Sequence, residues 1–571
     1  MIFHAINGTV TNWSRLRHFD FGFHFRFRFD FRFDFIFHFD FDFDFDFDFH
    51  LILIFVFVLI FKFHFRFRSL FNFFQTVISC CFITKLSTNN FQPSTQFIMI
   101  FNSYIFIAFF AVVLFLHNLP ISWRAKKINL LLASYIFYAA WNPPFILLLW
   151  LSTVIDFFVG RALYTQTDKR KKNLLLVISL IGNLGMLCFF KYGTFLLENF
   201  TTLVNAVGIN FHPAKPNIIL PAGISFYTFT TLCYTIDMYR KHSKPVASLL
   251  DFSLFVTFFP HLVAGPIVRP EQLVPQFESP RTATQKQMFE GLLLLSFGLF
   301  MKVVLADAML SGAADTVFSA HGMLPTLDAW MGVLAFSGQI FFDFAGYSSC
   351  AIGVALCLGF VLPRNFNYPY AAIGFTDFWR RWHITLSSWL RDYLYIPLGG
   401  NRFGAARMYF SLMVTMLIGG LWHGANWTFV VWGGLHGLFL VIEKFFTDRS
   451  APTTQNTATK NFLLAALTFF LVLITWVFFR ASTFTQAGEL LTSMFGFAPA
   501  ESQGVLTSLA ILKVSIIIPC MLIGHWFMRN TTLLDWAYNI SWWRLSFVWS
   551  TMIIFLILAQ ESSGSFIYFQ F

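Results

Sequence analysis

From Met99 onward the chain alternates long apolar stretches with short polar ones. The apolar stretches lie at approximately 99–119, 128–141, 143–160, 173–191, 217–240, 251–264, 287–306, 327–343, 345–361, 408–422, 427–446, 461–480, 508–527 and 544–560. A helix that crosses the hydrocarbon of a bilayer needs about 20 apolar residues, and fewer where it is broken and packed inside protein. Several of these stretches are short and many contain Gly or Pro, which predicts half-helices around a cavity rather than a simple bundle. The pattern as a whole predicts an all-α polytopic membrane protein. One further stretch, 375–395, reads differently. Phe375, Phe378, Trp379, Trp382, Leu386, Trp389, Leu390 and Tyr393 recur at helical spacing while Arg380, His383, Ser387 and Arg391 take the other side, so an amphipathic, non-spanning helix is predicted there.

The first 98 residues follow another rule. Every odd position from Phe19 to Phe49 is Phe, with Asp, Arg, His and one each of Gly and Ile between; an apolar run from Leu51 to Ile60 follows, and the alternation resumes to Phe67. A short alternation would mean a half-buried strand, but one residue type sustained this long is low complexity. Asp, His, Arg and Val are linked by single-base codon changes, as in a translated DNA repeat. An amphipathic sheet of this sequence would present an all-Phe face and aggregate. The run at 51–60 is too short to span. Residues 1–98 are therefore expected to be a disordered or mis-assigned extension, with Met99 as the natural start and 99–571 as the membrane domain.

Composition agrees with the pattern. A soluble chain would be about a quarter charged, whereas 12% of these 571 residues are charged and 57% apolar, with a mean hydropathy of +0.64. The net charge of +11 does not point to nucleic acid, because the basic residues sit in short runs between apolar stretches. Arg124, Lys126 and Lys127, then Lys169 to Lys172, then Arg240, Lys241 and Lys244 all fall on the cytoplasmic side if Met99 lies outside. The cysteines show no metal-ligand or disulfide spacing and read as small buried residues. No gap is long enough for a soluble catalytic domain, so any chemistry occurs in or at the membrane.

Ionisable residues inside apolar segments mark candidate function. Leu417-Ile-Gly-Gly-Leu-Trp-His-Gly-Ala-Asn-Trp427 presents His423 beside glycines that allow a thin substrate or a second backbone to approach. An imidazole there can act as a general base near neutral pH, although the pattern also fits a hydrogen-bonded histidine in an aromatic belt. The basic side of 375–395, with Arg380 and Arg391, could face a polar funnel and bind phosphates of a donor such as a coenzyme A thioester; the other reading is a helix resting among headgroups. Asp343, inside an apolar stretch, would either pair with an Arg or a hydroxyl, or orient a histidine.

Taken in order, several blocks resemble the alginate O-acetyltransferase branch of the membrane-bound O-acyltransferase family. They are Phe258-Phe-Pro-His-Leu-Val-Ala-Gly-Pro-Ile-Val-Arg269, Ser225-Phe-Tyr-Thr-Phe with Tyr234-Thr-Ile-Asp-Met-Tyr-Arg240, and Phe342-Asp-Phe with Gly346-Tyr. Phe366-Asn-Tyr-Pro-Tyr370, Asp377-Phe-Trp-Arg-Arg-Trp-His383 running to Gly399-Gly-Asn-Arg402, and Gly419-Gly-Leu-Trp-His-Gly-Ala425 complete the set. Even Met99-Ile-Phe-Asn-Ser is similar to the usual start of that branch. The resemblance covers approximately 99–571. It implies a ring of tilted and broken helices around a transmembrane funnel, His423 as the catalytic histidine and His383 as a second site residue. It also implies a multi-pass protein of the cytoplasmic (inner) membrane with acetyl-coenzyme A as co-substrate, no permanently bound cofactor and no metal. The acceptor would be an exported polysaccharide, reached directly or through a partner such as an exported SGNH-type acetyltransferase or other synthesis and export proteins. One departure is visible: Ser349 and Cys350 stand where the family often carries an acidic residue, which puts a role for that carboxylate in doubt.

Two rivals remain open. A D-alanyl transferase acting on teichoic acid would take its donor from a carrier protein, and its Arg-Trp-His block usually lacks the Pro397-Leu-Gly-Gly-Asn-Arg402 ending. A transporter or flippase would need paired intramembrane charges and internal repeats; no repeat is apparent, and no second carboxylate is expected to face Asp343.

Overall fold

A computed structural model describes residues 99–447 and 457–559, so the reading of residues 1–98 lies outside the described residues. The described elements are helical throughout. They comprise α1 (Tyr104–Asn118), α2 (Trp123–Ala139), α3 (Ile146–Thr165), α4 (Lys169–Ala206), α5 (Ile224–Arg240), α6 (Leu249–Thr257), α7 (Phe259–Leu262), α8 (Pro270–Glu278), α9 (Gln285–Leu299) and α10 (Gly312–Ser319). After these come α11 (Thr326–Cys357), α12 (Phe375–Arg381), α13 (Ile384–Leu390), α14 (Gly404–His423), α15 (Trp427–Thr447), α16 (Ala458–Arg480), α17 (Phe484–Met494), α18 (Ser508–Met528), α19 (Leu533–Asn539) and α20 (Trp542–Leu558). Eight of the described helical segments are long and apolar enough to cross a membrane. This is the all-α polytopic membrane fold that the hydrophobic pattern predicts. α11 is its central helix, with 89% of its apolar window buried. The outer helices turn Ile181, Phe527 and Phe547 outward, each more than half exposed, as surfaces that face lipid do.

The basic turns gather at one end. Trp123, at the start of α2, donates its indole N–H to Phe277 O at 2.7 Å, and Lys127 pairs with Asp251. Arg240, closing α5, donates to Asp392 O. Beside α12, Arg381 donates to Arg529 O just past α18 at 2.9 Å, and Glu443 near the end of α15 accepts from the backbone of Phe375 and Thr376. At the opposite end, Arg480 pairs with Asp315 at 2.8 Å, Trp427 donates to Asn199 and Asn426 donates to Ser482 O.

Several predicted spans change once the chain is folded. The stretches at 327–343 and 345–361 form one helix, α11, because nothing between them breaks the backbone and Asp343 is paired. Had they been two spans, every later loop would have changed sides. The stretch at 251–264 does not cross. Asp251 and Phe277 both sit against the first turns of α2, Phe259 N meets Ser134 Oγ further along α2, and Leu262 and Val263 pack against Gly223 just before α5; α6 and α7 therefore enter deeply and return. The span predicted to end at residue 191 continues to Ala206, so Lys191 lies inside the helix. The span predicted from 217 begins at Ile224, and the residues before it are non-helical.

The helix predicted over 375–395 is broken into α12, α13 and a π-helical turn, Arg391–Tyr395. His383 adopts a left-handed conformation (φ 42°), and the chain departs from helix because Asn365 offers better partners. Ile384 N donates to Asn365 O at 2.9 Å, and Thr385 donates both its N–H and its hydroxyl to Asn365 Oδ1. His383 is consequently fully buried, not part of an exposed basic side.

Polar groups inside the bundle are satisfied in networks, as a membrane interior requires. Asp156 of α3 accepts from Ser179 (2.5 Å), Asn183 (2.7 Å) and Thr235 (3.2 Å), tying α3 to α4 and α5. Between α9 and α10 the backbone widens into a π-helical stretch, Phe300–Ser311. A π-helix bonds backbone groups five residues apart, and here Lys302 Nζ lies 2.9 Å from Asp307 Oδ1 and 2.5 Å from Asp343 Oδ1. Lys302 thus takes up the Asp343 carboxylate, and Asp307 is the second carboxylate that sequence reasoning did not expect. The rival transporter reading loses one objection thereby, since paired intramembrane charges are present.

Candidate active site

α14 climbs from the basic end and ends on His423. The chain leaves the helix through Gly424, which is extended (φ −160°), and re-enters at α15. The two helices touch backbone to backbone: a methyl group on Gly420 would lie 2.3 Å from Phe429 O, and one on Gly433 would lie 2.2 Å from Met416 O. This approach brings Trp432 of α15 against the imidazole. Gly433→Leu is expected to force α14 and α15 apart at a cost of about 1–3 kcal/mol or more, lowering both thermal stability in detergent and acyl transfer. A variant as stable and active as the wild type would show that the close contact is dispensable.

Three rings hold His423 by edge-to-face contacts, with centroids at 5.0 Å for Trp422, 5.0 Å for Trp432 and 5.3 Å for Phe479. The residue is 3% exposed, yet it is not sealed. It lines a cavity of about 130 Å³ together with Trp141, Lys191, Gly223, Ser225, Phe226 and Ala264, enough for a few waters or one small acyl group. A smaller cavity of about 20 Å³ shares Trp141, Ala222 and Val263 with it and reaches Met99. The walls come from the ends of α2 and α5 opposite the basic turns and from the turned-back tip after α7.

His383 meets the same indole from another side: its ring centroid is 6.0 Å from that of Trp422. Phe344 (4.7 Å) and Phe226 (6.3 Å) enclose it further. Its Nδ1 lies 3.1 Å from Asn365 Oδ1, whose amide nitrogen donates to Ser348 Oγ at 3.2 Å. Since Oδ1 only accepts, this network assigns the proton to Nδ1 and leaves Nε2 as the bare nitrogen. His383 Nε2 has no hydrogen-bond partner among the described residues. Burial pushes this imidazole down to about 3, so the ring is neutral near pH 7.

A column of rings leads from Trp422 toward the basic end. Trp422 stacks on Phe229 (5.4 Å), Phe229 lies flat on Trp389 (3.9 Å, 2°) and Trp389 leans on Tyr393 (5.1 Å). Beyond it stand cations. Arg240 and Arg269 lie over the Tyr393 ring, and Tyr393 donates to Asp237 at 2.8 Å. Asp392 pairs with Arg269 and with Arg391 at 2.6 and 3.0 Å. Partial burial raises the Asp392 carboxyl, but hydrogen bonds from Arg391 and Arg269 outweigh it and hold the group below the ordinary carboxylate range.

Of the residues predicted from sequence, His423 and His383 meet around one indole. Arg391 joins the cation cluster at the foot of the ring column, whereas Arg380 is exposed on α12 and has no contact with that cluster among the described interactions. The two arginines are not brought together. Sequence reasoning missed Lys191 and Asn365. Lys191 carried a signal, a cation within an apolar run, but the predicted span stopped on it; a lone Asn in a loop carried none.

Residues 239–484 match the MBOAT, membrane-bound O-acyltransferase family, a stretch that includes both histidines. The chain is 42% identical over 402 residues to a protein of Pseudomonas aeruginosa named probable alginate O-acetylase AlgI, covering 70% of this chain and 75% of that one. It is 37% identical over 500 residues to the protein of the same name from Pseudomonas putida, covering 83% of this chain and all of its relative. A peptidoglycan O-acetyltransferase of Helicobacter pylori is 38% identical over 431 residues, or 70% of this chain and 80% of that protein. With the ordered sequence blocks and the helical membrane fold, these likenesses establish that the chain is an O-acyltransferase belonging to the membrane-bound O-acyltransferase family, on its AlgI-like side.

Proposed function

We propose that this enzyme moves an acetyl group from acetyl-coenzyme A, supplied at the basic end of the bundle, to an exported polysaccharide, directly or through a partner acetyltransferase, with His423 as general base. The observation that carries this reading is the place of His423: last residue of a helix that climbs from the basic end, in the wall of a cavity at the other end. If basic turns face the cytoplasm, as they do in inner-membrane proteins, that cavity faces the exported acceptor. The relatives named for alginate and peptidoglycan acetylation support a polysaccharide as the acceptor.

In the proposed step His423 takes the proton of an acceptor hydroxyl, the oxygen attacks the thioester carbonyl, and the carbon–sulfur bond breaks. The thiol leaves with the proton from the imidazolium. The cations around Tyr393 would meet the donor's phosphates, and the ring column between them and His423 must part for the thioester to reach the imidazole. Acetyl-coenzyme A labelled in its acetyl group and added to inside-out membrane vesicles should yield ester label on acceptor held in the lumen. Transfer only from donor placed in the lumen would overturn the proposed direction, and D-alanyl esters in place of acetyl esters would favour the teichoic acid reading.

His383→Ala should also impair transfer. Asn365→Leu, which removes the acceptor for His383 Nδ1 and for Thr385 while keeping similar volume, should lower it by about tenfold through loss of two or three net hydrogen bonds. Normal rates in both variants would reduce the Asn365–His383 pair to packing.

A further inference from the structure

An α-helix leaves its last carbonyls without partners. α14 ends inside the protein, next to a cavity, where no backbone continues to satisfy them. The three final carbonyls are instead met by two consecutive side chains of α4. Tyr192 Oη donates to Leu421 O at 2.9 Å, and Lys191 Nζ donates to Trp422 O at 2.6 Å and to His423 O at 3.1 Å. The same ammonium lies 3.4 Å from Ser225 Oγ in α5 and 5.6 Å from the centre of the Trp422 ring. It stands beside His423 in the cavity wall.

A lysine inside a spanning helix is costly unless it is paired, and here the partner is the negative end of the helix that carries the imidazole. A cation at a helix C-terminus is favoured by the aligned peptide dipoles and by hydrogen bonds to the last carbonyls. Ordinarily the helix supplies this cation from its own last turn. α14 offers only His423 there, so α4 supplies it from outside.

We propose that Lys191 is a positioning residue for His423: with Tyr192 it clamps the end of α14, so that the imidazole keeps its place between the ring cage and the cavity. The inference rests on His423 being the general base. Lys191 neither takes nor gives a proton in the step; it fixes the backbone from which the base projects. Loss of the clamp frees the last turn to fray, and the imidazole then spends less time aligned with the acceptor hydroxyl, an alignment on which the rate depends steeply.

The test uses the full-length enzyme in detergent, with acetyl transfer from labelled acetyl-coenzyme A measured per mole of monodisperse protein. Lys191→Met should lower kcat by about tenfold or more with the donor KM within about twofold, the signature of lost transition-state alignment. Lys191→Arg, which can still donate to the two carbonyls, should recover most of the rate. Tyr192→Phe, which removes one donor, should cost about threefold, and it keeps the inference testable should Lys191→Met fail to accumulate. An unchanged kcat in Lys191→Met overturns the clamp, as does a loss expressed only in KM or an arginine variant as inactive as the methionine one. A His423→Ala control separates the two claims. If that control is inactive while Lys191→Met is normal, only the clamp falls, whereas an active control removes the catalytic reading itself.

Discussion

His423→Ala is expected to reach the membrane at wild-type abundance while acyl transfer falls by about 100- to 10,000-fold, the range in which a positioned general base contributes. Abundance should hold because the backbone at this position does not depend on the imidazole. Its carbonyl and that of Trp422 are held by Lys191, and the vacated volume borders a cavity that already exists. The rate should fall because the rings that hold the imidazole, Trp422, Trp432 and Phe479, carry no base, His383 lies across the Trp422 ring, and the Lys191 amine is held on the carbonyls of Trp422 and His423. The measurement is ester-linked acetyl on the acceptor, normalised to enzyme in the membrane. Persistence of acetyl esters at the wild-type level would remove His423 from the mechanism. His423→Gln, which keeps much of the volume without the base, should be equally inactive.

Lys302→Met is expected to prevent accumulation of folded protein. The change leaves Asp307 and Asp343 in the interior without the cation that lies 2.9 and 2.5 Å from them. Removing one partner of a buried ion pair costs about 3–5 kcal/mol, and here two carboxylates lose the same one. The triad joins the π-helical stretch after α9 to the central helix α11, so the damage should be global, visible as loss of the monodisperse peak after solubilisation. Neutralising all three residues, with Lys302→Met, Asp307→Asn and Asp343→Asn together, should recover much of the folded protein, because no uncompensated charge remains. Normal accumulation of the single variant would show that the carboxylates find other partners. A triple variant that folds but no longer transfers acetyl groups would give the triad a part in function beyond holding α11 in place.

Much of the candidate site was legible before folding because membrane proteins punish stray polarity. An imidazole after Gly-Gly-Leu-Trp, and a second one in Arg-Trp-His, stand out against apolar surroundings, and the structure places both against Trp422. What periodicity misread is equally specific. The apolar and basic positions of 375–395 fit one helix, yet Asn365 draws the backbone of Ile384 and Thr385 away and turns His383 inward. Helical spacing registers which residues could share a side; it has no term for a distant amide that outbids the next turn.

The same limit explains the misplaced spans. Hydropathy marks 251–264 as long enough to enter the bilayer, but whether the chain crosses or returns was settled by Asp251 and Phe277 meeting the same end of α2. It also ended a span at Lys191, since a cation normally marks the interface, whereas the folded chain uses that cation 231 residues away in sequence, on the carbonyl of Trp422.

By itself, then, the order of residues determined the class of molecule, its family and the histidines to watch, because apolar length, basic runs and local motifs are properties of neighbours along the chain. Only the tertiary structure decided which buried charge meets which: Lys302 with two carboxylates, Lys191 with the end of α14, and Asn365 with His383. In a membrane interior a polar group must find its partner within the protein, and that partner is chosen by the packing of helices, on which local sequence is silent.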